Sequence, residues 1–264
     1  QSRWSYFPES RVREIADGFR SRKIPLDVLY LDIDYMDGYR VFTWDRKRFP
    51  DPPKLISDLN KDSIKTVLII DPGIKVDENY SVYKDGQKNG IFVKNPDGSE
   101  LNRDVWPQAS AFPDFTNAKA REWFGAQYKN HISEGVAGFW NDMNEPAVFD
   151  GPGKTMPEHN LHEADAELGG PGPHARYHNI YGMQMVRATR EGIAAANPGK
   201  RPFVLTRSSF LGGHRDAATW TGDNTGSLDH LRWSIPMVLN LGLSGQPFSG
   251  PDIGGFCGDV DGPT

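Results

Sequence analysis

The chain has 264 residues, enough for one large domain or two small ones with a sizeable core. Its 30 basic and 35 acidic residues give a net charge of −5, with no basic stretch long enough for a nucleic-acid face. No apolar run approaches the ~20 residues of a membrane span, and a single cysteine, Cys257, excludes an intrachain disulfide.

Residues 1–8 read as the back half of a strand followed by a turn, so the chain is expected to be an excerpt of a longer protein. Residues 9–22 carry Val12, Ile15, Ala16 and Phe19 at helical spacing. Residues 26–35 form an apolar strand that runs into Asp32 and Asp34, and 52–62 a short helix with proline at its start. Residues 64–71 are a buried-type strand ending on Asp71-Pro72-Gly73. From 74 to 115 the pattern breaks into aromatics and turn dipeptides (Asp85-Gly86, Asn89-Gly90, Asp97-Gly98), which predicts an inserted, hairpin-like excursion.

Asn117 caps a helix over 118–134. The apolar run from Gly135 to Trp140 then delivers Asp142, Asn144 and Glu145, and Pro146 ends the ladder. A buried strand that stops on acids, amides and a tryptophan has a poor structural excuse, because an unpaired buried carboxylate costs several kcal/mol. Residues 150–173 are a second irregular loop, 175–197 a helix closed by Asn197-Pro198-Gly199. Three further strands end on chemistry: 202–207 on Arg207, 217–224 on Asp223 and Asn224, 246–252 on Asp252, with a helix over 228–241. Trp123 and Trp233, inside helices, are expected in the core; Trp140 and Trp220 are expected as pocket walls.

Apolar strands without alternation, joined by connections too long for hairpins, predict a parallel sheet wrapped by helices. Polar chemistry at each C-terminal strand end points to an α/β (β/α)₈ TIM barrel over 1–264, with insertions after the third and fourth strands. A doubly wound sheet would advertise a Gly-rich phosphate turn, and none is present. Several carboxylates, one arginine and many tryptophans, without a His/Cys ligand set, fit glycoside chemistry better than metal chemistry. One carboxyl group must protonate the leaving oxygen while another attacks or stabilises an oxocarbenium-like centre. Aromatic faces would cover the apolar faces of a pyranose.

The sequence resembles glycoside hydrolase family 31, a retaining α-glycosidase family built on a (β/α)₈ barrel. Trp140-Asn141-Asp142-Met143-Asn144-Glu145-Pro146 is similar to its nucleophile block and Trp220-Thr221-Gly222-Asp223-Asn224 to its acid/base block. The resemblance implies Asp142 as nucleophile and Asp223 as acid/base. Asp32-Ile33-Asp34-Tyr35-Met36 resembles the block whose first acid, here Asp32, holds sugar hydroxyls. Trp106 resembles a stacking tryptophan and Arg207 the arginine near the nucleophile, where it is expected to help keep Asp142 ionised. By the same resemblance Trp4, Ile33, Ile69, Trp140, Met143, Trp220 and Phe256 line the pocket, with Asp252 and Glu145 in support. The family barrel ends on an eighth strand with a histidine, and flanking β-sandwich domains accompany it; neither is seen in this sequence.

Three motifs are decoys and read as loop chemistry, the first being the glycosylation sequon Asn79-Tyr80-Ser81, which has meaning only in a secreted eukaryotic protein. Gly151-Pro152-Gly153-Lys154-Thr155 lacks the first glycine of a phosphate loop, and His159-Asn160-Leu161-His162-Glu163 lies in irregular sequence and fits no zinc helix. The expectation is an exo-acting α-glucosidase acting on a small-molecule carbohydrate (malto- or isomalto-oligosaccharides), without metal or cofactor, nucleic acid or membrane. The rivals are an α-glucosyltransferase on the same scaffold and a non-catalytic carbohydrate-binding fragment. Compartment and oligomeric state do not follow from the sequence.

Overall fold

The computed structural model describes residues 3–258. Helix α1 (Glu9–Ser21) leads into strand β1 (Val28–Leu31), and α2 (Pro52–Lys61) into β2 (Lys65–Ile70). Asp51 caps α2 by accepting the Lys54 N–H, with Pro52 opening the first turn, where a missing donor costs nothing. The excursion then holds β3 (Ile74–Lys75), α3 (Ser81–Asn89), β4 (Asn102–Val105) and β5 (Gln108–Ala111). Helices α4 (Ala118–Gln127) and α5 (Lys129–Ser133) precede β6 (Gly138–Asn141). The short pair β7 (Leu161–His162) and β8 (Gly172–Pro173) introduces α6 (His174–Ala196), followed by β9 (Val204–Thr206), β10 (Ala218–Trp220), α7 (Leu228–Leu243) and β11 (Ser249–Gly250).

The main sheet is parallel and ordered β1-β2-β6-β9-β10-β11, each strand beside the next in the chain. That unbroken order is the winding of a TIM barrel; a doubly wound sheet reverses direction part-way. β6 is wholly buried and β2 buried at all but its first residue, so neither alternates. The excursion folds as an antiparallel sheet ordered β3-β5-β4.

On the outer layer, α4 and α6 cross at backbone contact. A Cβ on Gly192 would lie 2.2 Å from the Gly125 carbonyl oxygen, so only glycine fits there. Farther along α6, Gly182 lets the helix approach the loop after β6: a Cβ there would lie 2.6 Å from Asn144 O.

Four expectations are corrected. Arg3 to Phe7 form no strand, and Gln1 and Ser2 lie outside the described residues. The excursion is not only hairpin, because α3 sits inside it; Gly86, read as a turn residue, is a helical position beneath Phe92, where a Cβ would meet the ring at 2.4 Å. The helix predicted over 118–134 is two helices meeting at Tyr128. Trp233 is 67% exposed rather than core. α7 carries apolar residues all round, with Leu231, Ile235 and Leu239 on one side and Trp233 and Met237 on the other, so its pattern could not say which face is buried.

Candidate active site

Strand register builds the site. Ile70 pairs with Asn141, Asn141 with Thr206, and Thr206 with Thr219. One residue further along each strand direction, Asp71, Asp142, Arg207 and Trp220 therefore stand in one row, and laterally paired residues of parallel strands project to the same side. Asp32 falls level with Ile69 in the same way, because Leu31 pairs with Leu68. Each strand ends before its acid, so the chemistry sits on the first loop residues.

Arg207 is the hub. Its Nε donates to Glu145 Oε1 at 2.8 Å and its Nη2 to Glu145 Oε2 at 3.1 Å, a bidentate fork. Nε also lies 3.0 Å from Asp142 Oδ1, but its hydrogen is aimed at Glu145, and Asp142 Oδ1 is left without a hydrogen bond. On the other side Nη1 is 3.8 Å from Asp223 Oδ2. Between the acids, Met143 has a left-handed backbone (φ +56) and its Sδ lies 3.1 Å from Arg207 Nη2. Such a φ is uncommon outside glycine and has to be held by its surroundings. Asn144 does the holding: its amide donates to Thr206 Oγ1 at 2.9 Å and its oxygen accepts the Ser208 N–H at 3.2 Å. These bonds lock the loop after β6 to the loop after β9.

Asp32 accepts the backbone N–H groups of Trp4 (2.9 Å) and Ile33 (2.7 Å), which fastens the N-terminal segment to the mouth. Arg3 lies over the Trp4 ring at 4.7 Å and the Phe256 ring at 5.7 Å, linking the two ends of the described chain. Asp34 pairs instead with Arg48 at 3.0 Å. Trp140 and Trp220 meet edge to face at 5.5 Å; both are buried rather than open walls, and both indole nitrogens lack a partner. Ile69 is buried and its carbonyl accepts the Tyr35 hydroxyl. Trp106, at the β4–β5 turn, packs against Phe149 at 4.9 Å, so it joins the site through the loop that carries Glu145. Asn224 ties the Asp223 loop to the last strand end, donating to Asp252 O at 2.9 Å and accepting from Phe256 N at 3.1 Å. A cleft of about 390 Å³ lined by Arg3, Asp252 and Phe256 opens beside this mouth.

Residues 1–263 match the glycosyl hydrolases family 31 TIM-barrel domain. The chain belongs to that family. It is 50% identical over 262 residues to Alpha-glucosidase 2 of Bacillus thermoamyloliquefaciens, covering 99% of this chain and 33% of that protein. The crystal structure of a glucosidase II alpha subunit bound to alpha3-Glc2 matches with a TM-score of 0.91 at 40% identity, over 98% of this chain and 28% of that one. A family 31 alpha-glucosidase from Bacteroides thetaiotaomicron matches with a TM-score of 0.84 at 52% identity, over 97% and 42%. The chain thus spans less than half the length of each of these relatives.

In this family 31 barrel the electrostatics are set by burial. It pushes the Asp142 carboxyl up to about 7, although the Arg207 guanidinium and the Met143 N–H pull it down and Asp223 and Glu145 add repulsion. Arg207 pulls in the expected direction, toward the ionised form, but desolvation outweighs the cation. Asp32 is raised to about 6, again by burial against two backbone N–H bonds, and Asp252 to about 6. Among the described residues no group of three or more His, Cys, Asp or Glu is placed to hold a metal ion. Asn144 and Asn224 were read from sequence only as strand-end amides and Asp71 only as a strand-end acid, with no role in the site given to any of them.

Proposed function

We propose that the chain is the catalytic barrel of an exo-acting retaining α-glucosidase, one domain over 1–264 with insertions at 74–115 and 150–173. The observation that carries the reading is Arg207 gathering Asp142, Glu145 and Asp223 onto one guanidinium at the C-terminal ends of β6, β9 and β10. Asp142, the most enclosed acid of the three, attacks the anomeric carbon while Asp223, partly open to solvent, protonates the departing oxygen. Asp223 then takes a proton from water, which displaces Asp142 and releases glucose with its α configuration. Asp32 holds hydroxyls of the terminal sugar. Trp4, Ile33, Ile69, Trp106, Trp140, Met143, Trp220 and Phe256 shape the pocket, and Asp252 and Glu145 support it. No metal or organic cofactor takes part.

The relatives' names support α-glucosides as substrates, here terminal non-reducing residues of short oligosaccharides. Proton NMR of the first turnovers on an α-linked disaccharide tests this. The expected first product is α-glucose, mutarotating afterwards; β-glucose first would overturn the retaining route. Longer oligosaccharides as the main product at all substrate concentrations would move the chain to the glucosyltransferase class.

A further inference from the structure

Asp71 is an acid that the mechanism above does not use, and it is buried among other acids. It is 4% exposed, stands beside Asp142 in the row set by the Ile70–Asn141 pairing, and projects to the same side. Neighbouring strands lie ~4.8 Å apart, which brings the backbones carrying the two carboxyl groups together, and Asp142 is the charge that acts most strongly on Asp71. Each also has one buried oxygen without a hydrogen bond, Asp71 Oδ1 and Asp142 Oδ1. Two adjacent carboxylates cannot satisfy one another, since both only accept. One carboxylic acid beside one carboxylate can.

We propose that Asp71 is a positioning residue for the nucleophile: it is held as the neutral carboxylic acid and donates its O–H to Asp142 Oδ1. The inference rests on the reading of Asp142 as nucleophile. The donated bond would fix one oxygen of Asp142, stabilise its ionised form, and leave Oδ2 for the sugar. The groups facing Asp71 are consistent with the proton residing there. Asp142 and Glu145 from the loop after β6, and Asp32 from the end of β1, all repel its negative charge, while Arg207 is the one cation among them. Burial first, and this repulsion with it, hold Asp71 well above the usual carboxylate range. Tyr35, also buried beside it, stays neutral.

Two substitutions and one spectrum test this. Asp71→Asn keeps a donor of the same shape and Asp71→Ala removes it. Loss of a hydrogen bond to a charged group predicts a roughly 10- to 150-fold fall in kcat/KM for Asp71→Ala, with the acid limb of the pH profile moving upward. Asp71→Asn is expected to stay within a few-fold of the unaltered protein with its limb in place. Infrared difference spectra of the unaltered protein against Asp71→Asn should show, at neutral pH, a protonated carboxylic C=O band that the variant lacks. No such band, or Asn and Ala variants equally impaired with the limb unmoved, would overturn the proposal. The spectrum needs no turnover, so a protein inactive on α-glucosides would refute the function while the band still decides Asp71.

Discussion

Arg207 grips Glu145 through two parallel bonds of 2.8 and 3.1 Å while lying alongside Asp142 without hydrogen-bonding it. The cation's donors thus fix the loop, and its charge serves Asp142. Arg207→Ala would leave Asp142, Glu145 and Asp223 facing one another with no cation. It should destabilise the fold by about 3 kcal/mol and abolish measurable turnover. Arg207→Lys keeps the charge but not the fork, and should recover stability more than activity, because a point charge cannot hold Glu145 and flank Asp142 together. Thermal denaturation and kcat/KM of the two variants separate these effects.

The raised Asp142 carboxyl makes a signed prediction about pH. Its folded value of about 7 lies above the ordinary 3.8, so between those values the folded state binds more protons than the unfolded state. Stability from this group is therefore full below pH ~4 and is lost as pH rises toward 7. Asp142→Asn removes the group, so its stability relative to the unaltered protein should grow across that window, by about 2–4 kcal/mol, and then level off. Urea denaturation at stepped pH measures it. For activity, the ionised form is required, so kcat/KM should fall below pH ~7 as Asp142 takes up a proton.

Asp32 links chemistry to the N-terminal segment, since it accepts the Trp4 N–H as well as that of Ile33. Asp32→Ala should raise KM by losing hydroxyl contacts and also free Trp4, whose fluorescence would become more accessible to acrylamide. Asp32→Asn keeps an acceptor and should leave the quenching of Trp4 as it is in the unaltered protein while still losing affinity. A variant with weakened binding but unchanged quenching for both substitutions would separate the two roles.

The α4–α6 crossing predicts a purely structural lesion. Gly192→Ala would press its methyl carbon into the Gly125 backbone, and Gly125→Ala would meet Ala188 O at 2.9 Å. Overpacking against backbone predicts a loss of about 1–3 kcal/mol or more for Gly192→Ala and less for Gly125→Ala. KM of the folded fraction should not change. Differential scanning fluorimetry with kinetics on soluble protein checks both halves.

Some of this was legible in residues and some was not. Apolar strands that run into Asp32, Asp71, Asp142, Arg207, Asp223 and Asp252 announce a parallel sheet with one chemical end, because only burial on both faces tolerates such runs. The fork between Arg207 and Glu145 was not legible, as it depends on lateral register between β6 and β9. His162 shows the limit in another way. Read as loop chemistry, it is a buried link between Asp114 (2.7 Å) and His174 (2.9 Å), a pairing that joins residues 48 and 12 positions away and pins the second insertion to α6. Likewise α3 was hidden by Asp85-Gly86 and Asn89-Gly90: the first glycine is there for the Phe92 ring, and only Gly90, at φ +62, ends the helix as a C-cap. Local turn signals misled where a tertiary contact had chosen the glycine.

The central claim is that Asp142 is the nucleophile of an α-glucoside-cleaving barrel. Treatment with 5-fluoro-α-glucosyl fluoride, followed by proteolysis and peptide mass spectrometry, tests it most directly, on this chain and on one extended at both ends. The account predicts a glucosyl adduct on the peptide carrying Asp142, absent from Asp142→Asn. An adduct on Asp223 or Asp32 instead, or none on either folded protein, would contradict it.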